Sequence, residues 1–471
     1  MKEIIFVRAF LYSPVICGVI ALLVVACDPE TSPTATPIPP TSGGTTSAPS
    51  SVTREATQQA ASQPTPTSGE TIQTMVDSVG DVGFSEEHWT LTAIGAGDVY
   101  LIGESPSIVL SPEGLPVISY TAETGETDPR EPEQALFGPK LIVCGDPACS
   151  KHTAIMLGTT GFDSGSVLAV GNDSLPLILY RVYNEDMEDL ILLKCGDYFC
   201  SEHTVATIDR AYFWSPGSVG IGADNLPVIA YQNVMDNQLK VAKCSNPACS
   251  ADNTISTIEG LADPDGTNWT LNSVAIAMPP DGLPVITTYA TNGKLKVTKC
   301  GDTLCSGSTV TTVDKGGLDD DTSSMTIGPD GLPVIAYYHD GKMKLVRCEN
   351  PSCSENTIAT VDSALAGFIA SVTPSVAVGS DGHALVAYWS AGKGPPAGDL
   401  KIAKCENRSC SDSIVTTMTG VGTFALAIGA DGLPVIIYYR HLPTEEGRPW
   451  LSGDPVDLVT AKCQDDLCVS R

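Results

Sequence analysis

Residues 281–286 read Asp-Gly-Leu-Pro-Val-Ile, and the same hexapeptide returns at residues 330–335 and 431–436. Each copy is followed by a segment of the type Leu-Lys-x-x-Lys-Cys, clearest at residues 239–244, and then by a second cysteine five positions on. Four weaker copies of the hexapeptide occupy residues 113–118, 173–178, 224–229 and 381–386. The chain therefore contains seven repeats of one unit, each roughly 50 residues long, which we number 1 to 7 in chain order.

Within one repeat the apolar residues alternate with the period of β-strands. In repeat 4, alternating residues 273–277 are followed by a Pro-Asp-Gly turn and then by the apolar segments 283–289 and 295–300. A β-branched run at residues 309–313 completes four strands, which we label A to D. Four short strands per unit are typical of a propeller blade, and roughly four to eight blades close a ring. We predict an all-β fold, a seven-bladed β-propeller of four-stranded blades.

The two ends of the chain supply complementary parts of one blade. Repeat 7 stops soon after Cys468 and has no strand D of its own. Residues 71–77 match strand D of repeat 5 at residues 357–362, apart from one inserted residue. We therefore predict that this N-terminal strand completes the last blade and closes the ring, which leaves no unpaired sheet edge there.

Residues 1–26 have the features of a secretory signal. Lys2 and Arg8 precede an apolar run at residues 10–25. Because this run is shorter than the roughly 20 apolar residues that span a bilayer, a removable signal is favoured over a transmembrane helix. The residues before Cys27 resemble the lipobox of bacterial lipoproteins, which implies cleavage before Cys27 and lipid attachment to its sulfur. An ordinary signal, with Cys27 incidental, is the alternative.

Residues 27–69 predict a flexible tether. Positions 28–69 contain 8 Pro, 10 Thr and 7 Ser and almost nothing that a core buries. A chain of this length spans roughly 35 Å on average, which holds the body clear of a membrane surface. Residues 70–471 then form the propeller, which we expect to be a monomer that is exported and held at the bacterial cell envelope by its lipid.

The charge of the chain excludes one class of partner. The 26 Lys and Arg residues face 55 Asp and Glu residues, a formal net charge of −29. Nucleic-acid binding depends on neutralising phosphates with basic side chains, so DNA and RNA are excluded as partners. The sequence also contains no His-Glu-x-x-His, no Gly-x-Ser-x-Gly and no Gly-rich phosphate loop. We therefore predict no cofactor, with calcium as the one candidate considered below.

The paired cysteines predict disulfides rather than metal sites. No histidine recurs beside them, and an exported chain meets an oxidising compartment. We expect each pair to clip the hairpin between strands C and D, with its two cysteines facing each other across the loop as a non-hydrogen-bonded pair. The predicted disulfides are Cys144–Cys149, Cys195–Cys200, Cys244–Cys249, Cys300–Cys305, Cys348–Cys353, Cys405–Cys410 and Cys463–Cys468.

The complete repeat resembles the secreted or lipid-anchored β-propeller repeat proteins of environmental bacteria. Its pattern is Gly-x-Asp-Gly-Leu-Pro-Val-Ile-x-Tyr followed by Leu-Lys-Val-x-Lys-Cys-x4-Cys. Those proteins are in turn distantly similar to sialidase and BNR-type propellers. The resemblance covers residues 71–471 and implies the propeller fold, but it implies no activity because propellers carry unrelated functions.

Loops of variable length predict where a ligand binds. In a propeller the D–A and B–C loops share one face, and here these loops vary in length and are rich in acidic and aromatic residues. The candidate residues of this ligand face are Trp214, Trp269, Trp389, Trp450, Asp319, Asp320 and Asp321. For Trp214 and Trp269 the alternative is packing between blades. For Asp319–Asp321 a calcium site competes with a solvated acidic loop.

Two functions remain open. The first is a non-enzymatic module that binds a glycan, a peptide or a protein at this face. The second is a glycan-cleaving enzyme, because the sialidase resemblance requires a cluster of arginines beside a Tyr–Glu pair. The candidates are Arg130, Arg181, Arg210, Arg440 and Arg448, although the Ser-x-Asp-x-Gly-x-x-Trp box is absent from the sequence. Convergence of three arginines over the channel distinguishes the enzyme from the binding module.

Overall fold

In the computed structural model of the protein, the described residues are 67–68, 70–71, 88–100, 106–128, 131–160, 165–184, 187–213, 215–258, 271–290, 293–315, 322–363, 373–390, 398–441 and 455–465. All of them belong to one compact unit, Ser62–Arg471. The predicted signal and Cys27 lie outside the described residues, as do Trp214, Trp269, Trp450, Asp319, Asp320, Asp321 and Cys468. Within the described part of the chain, no helix has the length and apolar character needed to cross a membrane.

The described residues form strands and no α-helix, as the alternating apolar pattern predicts. The strands are β1 (Thr67–Ser68), β2 (Glu70–Thr71), β3 (Trp89–Tyr100), β4 (Ser107–Leu110), β5 (Pro116–Asp128), β6 (Glu131–Cys144), β7 (Lys151–Met156), β8 (Ser166–Val170), β9 (Pro176–Asn184), β10 (Met187–Cys195), β11 (His203–Ala211), β12 (Ser218–Ile221), β13 (Pro227–Asn233), β14 (Gln238–Lys243), β15 (Thr254–Thr257), β16 (Leu271–Ala277), β17 (Val285–Ala290), β18 (Lys294–Cys300), β19 (Ser308–Lys315), β20 (Ser323–Ile327), β21 (Pro333–His339), β22 (Lys342–Cys348), β23 (Asn356–Asp362), β24 (Ser375–Val378), β25 (Ala384–Ser390), β26 (Gly398–Cys405), β27 (Ser413–Ile428), β28 (Pro434–His441) and β29 (Pro455–Cys463).

The repeats fold into antiparallel sheets of four consecutive strands, in the predicted order A to D. Repeats 2 to 5 form separate sheets, β8–β11, β12–β15, β16–β19 and β20–β23, and β4–β7 of repeat 1 carry β1 as a fifth strand. Repeats 6 and 7 share a larger sheet because β27 is continuous: Ser413–Thr419 pairs with β26, and Phe424–Ile428 pairs with β28. The architecture is all-β and propeller-like, in agreement with the predicted class.

The A–B turns explain why the hexapeptide recurs. In repeat 2, Ser174 N–H donates to the Gly171 carbonyl and Gly171 N–H donates to the Leu175 carbonyl, which describes a β-turn followed by one left-handed residue. That residue has a φ of +65° in Ser174 and +71° in Gly282, a region that glycine adopts without strain. The preceding aspartate accepts the backbone N–H two residues on, as Asp173 does from Leu175. The repeated aspartates are therefore turn formers.

The prolines of the hexapeptide lie where the missing N–H has least effect. Pro116, Pro176, Pro227, Pro333 and Pro434 are each the first residue of strand B. Their carbonyls remain available to strand C, since Pro227 accepts the Cys244 N–H at 3.0 Å.

Six of the predicted disulfides lie within the described residues, and their Cα–Cα distances are 4.6–4.8 Å. The expected cross-strand geometry is wrong. Cys144 pairs across the hairpin with His152, whereas Cys149 lies inside the loop with a left-handed φ of +59°. The loop is longer than predicted because Asp146 caps it, accepting the N–H groups of Ala148, Ser150 and Lys151. Disulfides in this number indicate a non-cytoplasmic location.

The core of the described residues consists of seven apolar clusters, and each cluster combines residues of two repeats. Six of them join repeats that are consecutive in the sequence. The seventh contains Ile118 and Tyr120 of repeat 1 together with Ile437 and Leu458 of repeat 7. Every cluster also contains cysteine, so the disulfides are part of the packing between repeats and not only loop clips.

The strand beside β29 comes from the N-terminal side of repeat 1, but it is β3 and not residues 71–77. Val459 on β29 pairs with Ala93 on β3. Thr71 instead pairs with Thr92 on the opposite edge of β3, and residues 72–77 lie outside the described residues. The predicted assignment of residues 71–77 to this position is therefore wrong.

Packing accounts for the preference for β3. Trp89 enters the core cluster shared by repeats 6 and 7, and Ile94 enters the cluster shared by repeats 7 and 1. Both side chains are at most 5% exposed. Burying a large apolar side chain contributes about 1.5–3 kcal/mol, and this free energy stabilises β3 in its place beside β29. The similarity of residues 71–77 to another strand D does not show how much apolar surface that segment buries.

Candidate binding face

Of the candidate ligand-face residues, the structure describes Trp389 in β25. Its indole is half-buried and packs against the core shared by repeats 6 and 7. Trp389 N–H donates to Tyr338 Oη at 2.8 Å, and the Tyr338 hydroxyl donates to the Trp389 carbonyl at 2.9 Å. The indole Nε1–H donates to the Val421 carbonyl at 3.4 Å. Trp389 thus connects neighbouring repeats, and a ligand contact at this residue stays a prediction.

Three large apolar side chains are exposed at the loop ends of repeats 2 and 3. Tyr183 at the end of β9 is 44% exposed, Tyr212 after β11 is 47% exposed, and Met235 after β13 is 63% exposed. Val234 N–H donates to the Tyr212 carbonyl at 2.9 Å, which brings Met235 beside Tyr212. We call Tyr183, Tyr212 and Met235 the tyrosine patch.

Strand register brings Tyr183 close to the same segment. Glu188 on β10 pairs with Tyr183 on one side and with Ala211 on the other. Two strand spacings, about 10 Å, therefore separate the backbones of Tyr183 and Ala211, the residue before Tyr212. The remaining exposed large apolar side chains of the described residues lie in a cysteine loop or on outer strands D; they are Phe199, Val205, Ile255, Ile358 and Val415.

A buried ion pair holds the backbone beneath the tyrosine patch. Arg181 Nη1 lies 3.5 Å from Glu188 Oε2, and both side chains are at most 7% exposed. Arg181 donates to the Phe213 carbonyl at 2.6 Å, while Glu188 accepts the Phe213 N–H at 2.9 Å. The Phe213 ring packs edge-on against Tyr231 of the next repeat. Hydrogen bonds therefore hold both the N–H and the carbonyl of Phe213, and the side chain of the neighbouring Tyr212 points outward.

Polar groups surround the tyrosine patch. Asn184 Nδ2 donates to Asp189 Oδ2 at 2.9 Å, and Arg210 Nε lies 3.4 Å from Asp189 Oδ1. On repeat 3, Asp236 pairs with Lys240 at 2.9 Å. The patch thus combines two aromatic rings with amide, carboxylate and guanidinium groups, a mixture of apolar and hydrogen-bonding surfaces.

The three candidate arginines that the structure describes each pair with their own carboxylate. Arg181 pairs with Glu188 and Arg210 with Asp189, and Arg440 lies 2.7 Å from Asp457. Arg130 and Arg448 lie outside the described residues. No group of three or more His, Cys, Asp or Glu side chains suited to a metal occurs in the part of the chain that the structure describes.

Three repeat junctions share a Tyr–Asp–Lys contact that the sequence analysis missed. In the first, Tyr337 donates to Asp314 at 2.7 Å and Lys344 lies 2.9 Å from the same carboxylate. The equivalent groups are Tyr231–Asp209–Lys240 and Tyr388–Asp362–Lys401. The signal was present in the repeat. The tyrosine is the fifth residue of the segments that begin at Pro227, Pro333 and Ala384, and the aspartate lies at or near the end of the preceding strand D.

A second recurring contact joins the A–B turn to strand C. The lysine before the first cysteine of a repeat pairs with the turn aspartate at 2.7–2.9 Å; the pairs are Asp173–Lys194, Asp224–Lys243, Asp281–Lys299 and Asp431–Lys462. Partial burial acts to raise the pKa of Asp281, but hydrogen bonds from Lys299 and from the Leu283 N–H outweigh it and leave this pKa below its usual value. The pKa values of Asp224 and Asp431 are lowered in the same way.

Asp281→Asn is expected to make the fold less sensitive to acid. A carboxyl whose pKa is lowered by folding contributes stability above its pKa in the unfolded chain, about 4, and loses that stability as the pH falls through the folded-state pKa. The free energy of unfolding should therefore decrease below about pH 4 in the wild-type protein and decrease less in D281N, whose amide does not titrate there. Urea unfolding over a series of pH values measures both slopes.

Lys299→Met provides the second variant for this prediction. It removes the hydrogen bond that lowers the pKa of Asp281, so it should also flatten the acid dependence. Equal slopes in the wild-type protein and D281N would contradict the role assigned to this pair.

The chain resembles several solved structures at low sequence identity. No protein-family model and no curated protein match it. Among solved structures, the NanB sialidase of Streptococcus pneumoniae shares 12% identity with a TM-score of 0.46, covering 80% of this chain and 71% of that one. The intramolecular trans-sialidase of Ruminococcus gnavus shares 11% identity with a TM-score of 0.42, over 80% of this chain and 98% of that one.

A fungal protein shows a likeness of similar strength. The α-L-arabinanase of Penicillium chrysogenum shares 12% identity with a TM-score of 0.42, covering 76% of this chain and 99% of that one. Likenesses this distant do not transfer an activity to this chain, because one fold carries many functions.

Proposed function

We propose that the chain is a lipid-anchored, exported binding protein whose seven repeats close into a seven-bladed propeller and whose tyrosine patch binds a glycan without cleaving it. Closure is supported by the pairing of β3 with β29 and by the apolar cluster that combines repeats 1 and 7. The anchor is supported by the residues around Cys27, and export is supported by the six disulfides.

The binding role is carried by one observation, the exposure of Tyr183, Tyr212 and Met235 above a rigid, buried ion pair. Large apolar side chains that stay exposed together beside polar groups mark a recognition surface. The Arg181–Glu188 pair fixes the backbone there in advance, so a ligand meets a preorganised surface and loses less conformational entropy on binding.

The composition of the patch favours an uncharged glycan. The flat face of a tyrosine ring packs against the C–H groups of a sugar ring, while Asn184 and Asp189 bind its hydroxyls. A net charge of −29 disfavours polyanions at this surface. Binding without cleavage is supported by the arginines, because each described candidate already pairs with a carboxylate and a new anionic substrate would have to displace it.

A glycan array probed with the full chain in detergent, with and without calcium, tests the proposal. We expect a glycan signal that falls at least about fivefold in a Tyr183→Ala/Tyr212→Ala variant, since stacking on an aromatic residue is worth about 0.5–1.5 kcal/mol per ring. Ile358→Ala is the matched control, because Ile358 is 42% exposed but lies on the outer strand of repeat 5. Binding that survives the double substitution would overturn the site, and release of a free sugar would favour the enzyme.

A calcium requirement in the same array would support the site predicted at Asp319–Asp321. Loss of the glycan signal on chelation, with recovery on added calcium, is the outcome that a structural or ligand-bridging ion produces. A glycan signal that is unchanged by chelation would indicate that Asp319–Asp321 form a solvated acidic loop.

A further inference from the structure

A cavity of about 90 Å³ lies between the A–B turns of repeats 6 and 7. Its walls include Asp381, His383 and Lys404 of repeat 6, and Leu433 and Asp465 on the side of repeat 7. The tyrosine patch and the ligand-face loops take no part in this cavity.

Repeat 6 departs from the common turn sequence at this cavity. It reads Asp381-Gly382-His383-Ala384, whereas three other repeats have Asp-Gly-Leu-Pro in the same place. The substitution replaces an apolar side chain with an imidazole and removes a proline ring, and Ala384 and His383 both line the cavity. The change therefore opens space and adds a polar group at one position of the array.

The same repeat leaves its lysine without the usual partner. In repeats 2, 3, 4 and 7 the equivalent lysine pairs with the turn aspartate at 2.7–2.9 Å. It also donates to the carbonyl two residues beyond that aspartate, as Lys243 does to Leu226 at 3.2 Å. Lys404 occupies this position in repeat 6, opposite Leu385 on β25. Among the described residues it makes neither of these contacts.

The carboxylates of the cavity are engaged by histidines. Asp381 Oδ2 lies 3.4 Å from Nδ1 of His383. Asp465 Oδ2 lies 2.7 Å from Nδ1 of His88. Within the part of the chain that the structure describes, the ammonium of Lys404 is then the cation of the cavity that lacks a paired counter-charge. Lys404 is partly buried, and a partly desolvated charge without a partner is stabilised when an anion binds beside it.

We propose that this cavity binds a small oxyanion, with the Lys404 ammonium as its counter-ion and His383 as a second hydrogen-bond donor. The volume sets the size of the ligand. It is smaller than the roughly 150 Å³ cavity that holds benzene, so the site takes an anion of about three to five non-hydrogen atoms and excludes a whole sugar ring. A carboxylate and inorganic phosphate both meet this description, whether free in solution or at the end of a larger molecule.

Isothermal titration calorimetry of the full chain with acetate and with inorganic phosphate tests the site, with sodium chloride at matched ionic strength as the reference. We expect saturable binding of at least one of the two anions. Because the net charge of −29 repels anions in general, a saturable signal reports a local site and not a general salt effect. The titration is then repeated with a propionylated peptide that ends in an amide and with the same peptide ending in a free acid. Binding of the acid form alone indicates that the site accepts the carboxylate of a chain end as well as a free anion.

Lys404→Met and Lys404→Gln should each weaken binding at least tenfold, and His383→Leu should weaken it less. Lys299→Met is the matched control, because Lys299 occupies the same position in repeat 4 and is already bound by Asp281 at 2.8 Å. Binding of the anion should be unchanged in that variant. The absence of saturable binding to the wild-type chain would overturn the proposal, as would full binding by the two Lys404 variants. Neither outcome bears on the glycan array, so the two proposals fail separately.

Discussion

Reduction of the disulfides is expected to unfold the protein at neutral pH. A disulfide that closes so small a loop stabilises the fold by about 2 kcal/mol, so six of them contribute about 12 kcal/mol if their effects add. That figure is close to the entire stability of a typical domain, about 5–15 kcal/mol. Urea unfolding followed by circular dichroism, with and without prior reduction, measures the difference.

The reduction must be carried out in denaturant before refolding, because the cysteines of the six pairs are at most 3% exposed. A variant that lacks one pair, Cys348→Ala/Cys353→Ala, is the graded control. It should lose about 2 kcal/mol from the disulfide and a further contribution from the sulfur atoms missing in the core of repeats 4 and 5. Unfolding midpoints that coincide before and after reduction would show that packing alone maintains the fold.

Glu188→Ala is expected to have the largest effect of any single substitution considered. It leaves the Arg181 guanidinium buried without its carboxylate and removes the acceptor of the Phe213 N–H. Breaking a buried pair in this way costs about 3–5 kcal/mol. Because the same pair holds the backbone beneath Tyr212, glycan binding should fall together with the free energy of unfolding, which urea denaturation and the array measure in parallel.

A pair with an exposed arginine provides the matched comparison. Arg210 is 54% exposed and lies 3.4 Å from Asp189, so Asp189→Ala should cost less than about 1 kcal/mol. The double variant Arg181→Met/Glu188→Leu should recover much of the stability lost by Glu188→Ala, because no unpaired charge remains. Equal losses in Glu188→Ala and Asp189→Ala would refute the assignment of Arg181 and Glu188 as a structural pair.

The strand order within a repeat could be predicted from the sequence because local chemistry determines it. The left-handed residue at Gly282 and the aspartate cap at Asp281 act over three or four residues, and the alternate residues Val274 and Ile276 pack on the same apolar cluster. The choice of β3 over residues 71–77 could not be predicted, because it depends on the pockets that receive Trp89 and Ile94 from distant repeats.

The disulfide geometry could not be predicted from the sequence for a similar reason. The spacing of Cys144 and Cys149 fits a bridge across a hairpin, and nothing in that spacing shows that Cys149 adopts a left-handed conformation inside the loop. The cause is the cap provided by Asp146, whose carboxylate accepts several N–H groups. Aspartate or asparagine does recur two residues after the first cysteine, so the signal exists in the repeat once its meaning is known.

The candidate site was predicted only as a region. The sequence indicated the variable loops of the ligand face, and Arg181 was named as a catalytic candidate without its partner Glu188. Tyr183 and Tyr212 escaped notice because each lies in a strand-like context, and exposure depends on how neighbouring loops pack. Tryptophan, the residue chosen as the marker of stacking, turns inward at Trp389, where the indole N–H bonds to the Val421 carbonyl.

The unbroken course of β27 constrains how the array has grown. Residues 413–428 serve as the outer strand of repeat 6 and continue directly into the first strand of repeat 7. A gene duplication or deletion with a breakpoint inside this stretch would damage two sheets at once. Recombination that adds or removes a whole repeat is better accommodated where separate strands end and begin, as between Ala211 and Ser218. We therefore expect variation in repeat number to arise outside the junction of repeats 6 and 7.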